Sequence, residues 1–258
     1  MVTEITGINI MQMIYGINPV MEAMKIARGG LEKIIVMRSK VGKPVQTILQ
    51  MAARKGIPVE FKDKAHLEQL APGNSHQGVI GLCKDYKYAG LDDIIANRHA
   101  SLHRDLILVL DGITDPQNLG SLVRTAHCLG ANGVVIPEHR AASITAASVK
   151  ASSGTAYYVP IAMVSNLSNT IEYLKTKGFW VYGTYASDGQ DIRSINFDEK
   201  VVLVMGSEGK GIRELVKKKC DFLISIPMLG KIDSLNVSVA AGITIYEILH
   251  KQGTANMH

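Results

Sequence analysis

The stretch "LILVLDGITDPQNLGSLVRTAHCLGANGVVIP", residues 106–137, decides the fold. It opens on a run without a polar residue, Leu106–Leu110, and closes near a second, Val134–Ile136. Uninterrupted apolar runs of this kind mark strands covered on both faces, as in a parallel sheet. Between them Leu119, Leu122, Val123, Ala126 and Leu129 recur at helical spacing, which predicts a helix over Leu119–Leu129 with Arg124 off its core face. Strand, polar loop, helix and strand in that order make one right-handed crossover unit.

The same alternation runs on toward the end of the chain. Phe179–Tyr182, Val201–Met205 and Phe222–Ile226 read as further strands. Helical patterns fall at Ala146–Ser152, Leu167–Lys177 and Ile212–Lys218, and a last apolar helix at Val237–Leu249. The expected architecture is an α/β, three-layer parallel sheet. Residues 1–83 predict a smaller α/β unit. Asn18-Pro19 opens a helix that Gly29-Gly30 stops near Arg28, and Leu31–Met37 follows as a strand. A helix over Val45–Arg54, a strand at Pro58–Phe61, a short helix over Ala65–Leu70 and a strand at Gly78–Cys83 complete it. Residues 84–105 lose the strand signal and gain charge, and read as a linker containing a short helix, Leu91–Arg98. The expected domains are therefore 1–83 and 106–258, joined by 84–105.

Composition narrows the function classes. With 47% hydrophobic and 20% charged residues in 258, the chain is globular and buries a real core. No apolar run reaches the roughly 18 residues that span a bilayer. The opening MVTEITGINIMQ carries an acid and no basic segment before an apolar one, so no signal peptide is expected and the location read from the sequence is cytoplasmic. Cys83, Cys128 and Cys220 are odd in number and lack CxxC spacing, which suits free thiols in a reducing compartment. The eight histidines form no HExxH or similar spacing, so a metal enzyme is not expected. Net charge is +5, and residues 1–70 carry ten Lys/Arg against six Asp/Glu. That bias fits a polyanionic partner and fits an ordinary solvated surface equally well.

Ligands on parallel sheets gather at the carboxyl ends of the strands. After Leu106–Leu110 comes a polar loop in which Asp115-Pro116 or Asn118 can cap the next helix. After Val201–Met205 comes Gly206-Ser207-Glu208-Gly209-Lys210-Gly211. Its GxxGxG order is neither the dinucleotide GxGxxG nor a P-loop, and a bare turn leaves Glu208 without a role. After Phe222–Ile226 comes a loop closing on Asp233-Ser234-Leu235-Asn236, where Ser234 and Asn236 serve as caps or as part of a site. Three polar loops at corresponding strand ends, each running into a helix, define a candidate site.

"DPQNLGSLVRTAHCLGANGVVIP", "VLVMGSEGKGI" and "IPMLGKIDSLNVSVAAGITIYE" closely resemble the three motifs of the SpoU-type (TrmH) RNA 2′-O-ribose methyltransferases of the SPOUT superfamily. The resemblance covers about 150 residues, from Leu106 onward. Tyr15-Gly16-Ile17-Asn18-Pro19-Val20 and Asn74-Ser75-His76-Gln77-Gly78-Val79 resemble the L30e-like substrate-binding domain of many members. The architecture is closest to bacterial members that methylate a guanosine of 23S rRNA. The resemblance implies a C-terminal deep trefoil knot, S-adenosylmethionine as methyl donor, and a homodimer. It carries over Gly206, Ile226 and Leu235 as cofactor contacts, with Thr184 and Met228 as their neighbours. It nominates Asn118, Arg124, Glu208, Ser234 and Asn236 for catalysis.

Within that set, a protonated guanidinium has no acceptor, so Arg124 is expected to stabilise charge on the 2′-oxygen or hold a phosphate rather than act as a base. Glu208 is expected to orient Arg124 or Asn118, and Asn118 to hold the ribose. Lys33, Arg38, Lys40, Lys43, Arg54 and Lys55 are candidate RNA contacts or plain surface charge. His76 is an RNA contact or a loop-ordering residue. Other readings on the same scaffold are a tRNA ribose methyltransferase, which the L30e-like domain disfavours, an rRNA adenosine methyltransferase of the antibiotic-resistance type, and a non-catalytic RNA-binding assembly factor. The complete catalytic set argues against the last.

Overall fold

The computed structural model describes residues 12–25, 31–39, 42–73, 75–83, 86–99, 101–185, 189–230 and 234–251. The chain divides into two compact units, Met1–Lys87 and Tyr88–His258.

In the first unit the elements are β1 (Gln12–Tyr15), α1 (Ile17–Lys25), β2 (Leu31–Met37), α2 (Lys43–Lys55), β3 (Val59–Lys62), α3 (Lys64–Leu70) and β4 (Val79–Cys83). The sheet runs β1-β4-β2-β3, with β4 antiparallel to both neighbours and β3 parallel to β2. The edge strand β1 escapes a sequence reading because its short run of apolar residues shows neither period. Helix α1 starts at Ile17, so Pro19 sits in its first turn, where a missing N–H is harmless. Arg28, the Gly29-Gly30 stop, Lys40 and Asn74 lie outside the described residues. His76 orders its loop: its Nδ1 accepts the Gly78 amide at 3.0 Å. Lys33 is committed to Glu60 at 2.8 Å, and this contact holds the Glu60 carboxyl below its ordinary pKa.

The second unit comprises α4 (Leu91–Ala96), β5 (Asp105–Asp111), α5 (Pro116–Leu129), β6 (Gly133–Pro137), α6 (Ala146–Ala151), β7 (Ile161–Val164), α7 (Leu167–Thr176), β8 (Trp180–Thr184), β9 (Gln190–Asp191), β10 (Lys200–Gly206), α8 (Glu214–Lys217), β11 (Phe222–Ser225) and α9 (Val237–His250). All seven strands are parallel, in the order β7-β6-β5-β10-β8-β11-β9. The continuous apolar runs are the central strands, fully buried as their patterns require. Ile107, Val109, Val135, Val202 and Val204 form one core cluster with the inner faces of α7 and α8.

Two expectations need correcting. The stretch read as a linker, 84–105, belongs largely to the second unit, because Ile94 of α4 is fully buried in that core and the Ala89 amide bonds Ile161 O at 2.8 Å. The helix expected over Ile212–Lys218 is one turn only, because Arg213 stays extended at φ −64°, ψ 143°.

The thiols differ in burial. Cys128 is exposed, whereas burial pushes the Cys83 thiol up to about 11 and the Cys220 thiol up to about 12. A thiolate-selective reagent at pH 8 is therefore expected to label one cysteine quickly in the native protein and three in denaturant. Three fast thiols in the native state would contradict the packing.

Candidate active site

The site is built where β5 and β10 end side by side, Asp111 in register with Gly206. In the first loop Asp115, not Asn118, caps α5: its Oδ1 accepts the Gln117 amide at 3.0 Å, with Pro116 in the first turn. Asn118 is thus freed from capping, and its Nδ2 donates to Glu208 Oε1 at 3.3 Å.

The second loop closes on itself. Ser207 and Gly211 exchange backbone hydrogen bonds of 3.1 and 2.9 Å. A Cβ at Gly206 would stand 2.1 Å from the Gly211 carbonyl carbon. The glycine there is required by the loop's own return, whatever ligand approaches it. This turn presents Glu208 outward, over the start of α9.

In the third loop Asn236 caps α9, its Oδ1 accepting the Ser238 amide at 3.0 Å. Its Nδ2 donates to Glu208 Oε1 at 2.7 Å and to Asn118 Oδ1 at 3.0 Å. The Val237 amide reaches the same Glu208 oxygen at 3.1 Å. One carboxylate oxygen therefore gathers three donors from two loops. Ser234 takes no part in the cap.

Beside this cluster lies a cavity of about 360 Å³ at the ends of β8, β10 and β11. Thr184, Gly206, Ile226, Met228 and Leu235 all line it, together with Glu208 and Ser234. Ile192, Ile224 and Val237 add apolar wall while Ser207, Ser225 and Thr244 add polar groups, a mixed lining that suits a small molecule with both kinds of surface. Among the described residues no group of three His, Cys, Asp or Glu side chains stands close enough to hold a metal ion.

Arg124 stands apart. Six residues beyond Asn118 on α5, it is about 9 Å along the helix axis. It is exposed, and its Nη1 donates to Ser153 Oγ at 3.2 Å rather than to Glu208. Of the two partners expected for Glu208, the structure pairs it with Asn118, and Asn236 joins them, whereas Arg124 does not reach it.

A pair not singled out in the sequence anchors the site from below. Asp111, fully buried, accepts the Arg213 amide at 2.8 Å and its Nε at 2.6 Å, tying the end of β5 to the chain leaving the glycine loop. The available signal was an acid terminating an apolar strand. Arg213→Ala strips a buried carboxylate of its cation and is expected to destabilise by about 2–4 kcal/mol, reduced from the fully buried case because Arg213 is half exposed. Asp111→Asn keeps one acceptor but turns a buried Nδ2 donor against a donor of Arg213, for about 1–3 kcal/mol. Wild-type urea midpoints in both variants would refute this assignment.

The fold is that of solved SpoU-type methyltransferase structures. AviRb from Streptomyces viridochromogenes, a SpoU methyltransferase, superposes with a TM-score of 0.70 at 22% identity, over 93% of this chain and 89% of that one. An rRNA methyltransferase from Sinorhizobium meliloti superposes with a TM-score of 0.69 at 25% identity, over 92% and 86%. Residues 105–246 match the SpoU rRNA Methylase family, and residues 13–89 match the family described as RNA 2′-O ribose methyltransferase substrate binding. YacO of Bacillus subtilis, named for the TrmH family of tRNA/rRNA methyltransferases, is 42% identical over 239 residues, 93% of this chain and 95% of its own. The chain belongs to the SpoU rRNA methylase family of RNA methyltransferases.

Proposed function

We propose that the protein methylates a ribose 2′-hydroxyl of ribosomal RNA, a guanosine of 23S rRNA, using S-adenosylmethionine. The observation that carries this reading is the junction of the cavity of about 360 Å³ with the Asn118–Glu208–Asn236 cluster. The cavity fits the cofactor: apolar walls from Ile192, Ile224, Ile226, Met228 and Leu235 suit an adenine, Ser234 offers a hydroxyl, and Thr184 and Ser225, whose hydroxyls donate to Val204 O and Gly189 O, offer acceptor oxygens. The AviRb structure contains AdoMet, which supports the same choice. Bound there, S-adenosylmethionine supplies an electrophilic methyl group, leaving the protein to position the oxygen and manage its proton. Glu208 fixes the two asparagine amides that would hold the ribose. Arg124 places a cation for developing negative charge or a phosphate.

The match of residues 13–89 to a substrate-binding family supports an RNA-binding, L30e-like role for the first unit. A knotted C terminus and a homodimer belong to the same reading. Val239, Ile243 and Tyr246 form an exposed apolar stripe on α9, at 51%, 43% and 57% exposure, suited to a partner copy. The cytoplasm is the compartment in which such a substrate is met. Mass mapping of 2′-O-methyl sites in rRNA from a deletion strain tests the proposal. Loss of one rRNA guanosine methyl upholds it. Loss of a tRNA methyl instead moves the substrate to tRNA, which YacO's name also includes.

A further inference from the structure

A second cavity, of about 420 Å³, opens on the same carboxyl edge of the second unit's sheet, where β6 and β7 end. Its wall includes His139, Arg140, Asn166, Ser168, Arg213 and Leu215, and it shares no residue with the cavity beside Glu208. Its charge is mainly positive. His139 and Arg140 are exposed and, among the described residues, make no hydrogen bond or ion pair. Arg213 is held through Nε by Asp111, which fixes its guanidinium while the two terminal nitrogens stay unpaired among the described residues. The one acid in the wall, Glu214, is itself within 4.0 Å of Lys217.

The backbone adds two observations. Arg140 adopts φ 59°, in the left-handed region that a side chain other than glycine, asparagine or aspartate rarely takes. A long cation held where glycine would be relaxed points to use of the side chain, since such strain gathers at functional positions. Asn166 caps α7 by accepting the Asn169 amide at 3.1 Å. The Leu167 and Ser168 amides, both in the cavity wall, then lack an intrahelical acceptor at the positive end of the helix.

We propose that this cavity binds a backbone phosphate of the RNA substrate and so registers the strand that carries the reacting ribose. The proposal rests on the RNA methylation reading above. In the sheet, β6 lies two strands from β10, which leads to Glu208. That separation is about 10 Å, so one RNA strand crossing the carboxyl edge meets both places. Leu215, 74% exposed at the rim, offers an apolar surface for the adjoining sugar or base. Phosphate contacts of this kind set register and affinity without reading sequence.

The decisive variant is Arg140→Gly, which removes the cation and relaxes the backbone together. It is expected to keep or raise Tm and to leave S-adenosylmethionine affinity unchanged. Its affinity for a labelled RNA hairpin should fall about tenfold at about 0.15 M salt, the loss of one charge-assisted contact. Its slope of log affinity against log salt should flatten by about 0.7–0.9. Arg140→Lys should restore most of the slope. A glycine variant with wild-type affinity and slope overturns the phosphate site, as does a wild-type protein that does not bind the hairpin. If the wild type binds the hairpin yet methylates no RNA, the catalytic reading falls, while the same titration still decides the cavity.

Discussion

Glu208→Ala is expected to lower methyl transfer by about 10²–10³-fold, whereas Glu208→Gln lowers it only about tenfold. The difference follows from how the carboxylate is used. Asn118 Nδ2, Asn236 Nδ2 and the Val237 amide all converge on Oε1, at 3.3, 2.7 and 3.1 Å. Alanine removes that common acceptor: the two asparagines are left to the Asn118–Asn236 bond and the Ser238 cap alone, and the first amide of α9 loses its partner. Misplacing a positioning group by about 1 Å is enough for a hundredfold loss. Glutamine retains an oxygen at the same place and loses only the charge assistance, which roughly halves the strength of each bond. Single-turnover rates with the cofactor saturating give the comparison directly. Glutamine as damaging as alanine would mean that the negative charge or Oε2 acts on the reaction itself, and the positioning role would be wrong.

The contrast between motif and partner shows what the sequence made legible. The central strands were readable because a buried parallel strand leaves nothing but apolar residues, and Leu106–Leu110 and Val201–Met205 sit where they were expected. Strand β9 was not, since two residues carry no period and it is held by main-chain pairing to β11. The three loops were legible as polar breaks at strand ends. The Glu208–Asn118 contact was one of two expected, but the bonds from Asn236 to both were not, because Asn118, Glu208 and Asn236 lie 90 and 28 residues apart in sequence and meet only through the sheet order. Of the two partners expected for Glu208, Asn118 is found and Arg124 is not, because six residues along a helix turn its side chain some 120° away from Asn118. Gly206, expected as a cofactor contact, lines the cavity and also lets the loop close, since a Cβ there would stand 2.1 Å from the Gly211 carbonyl carbon.

Arg124→Ala is expected to bring turnover near to background while S-adenosylmethionine affinity and Tm stay at wild-type values. Arg124 is exposed and contributes one hydroxyl contact, so truncation should change stability by no more than about 0.5 kcal/mol. Any large loss of rate is then a loss of chemistry. Its placement nevertheless depends on the fold in detail. A Cβ at Gly120 would meet Ala151 Cβ and Ser148 O at 2.5 Å, so the glycine lets α6 lie directly against α5. That approach brings Ser153, held at φ 52°, to the Arg124 guanidinium at 3.2 Å. That contact orients one edge of the guanidinium and leaves its other donors, unpaired among the described residues, to meet negative charge on the 2′-oxygen or on an RNA phosphate. Arg124→Lys keeps a charge but loses the planar fork, and should recover only a small part of the rate. The two roles separate in kinetics: a fall in kcat at saturating RNA places the cation on the reacting oxygen, and a rise in KM alone places it on a phosphate. Normal turnover of Arg124→Ala would remove the residue from the site and leave Glu208, Asn118 and Asn236 as the groups on which positioning rests.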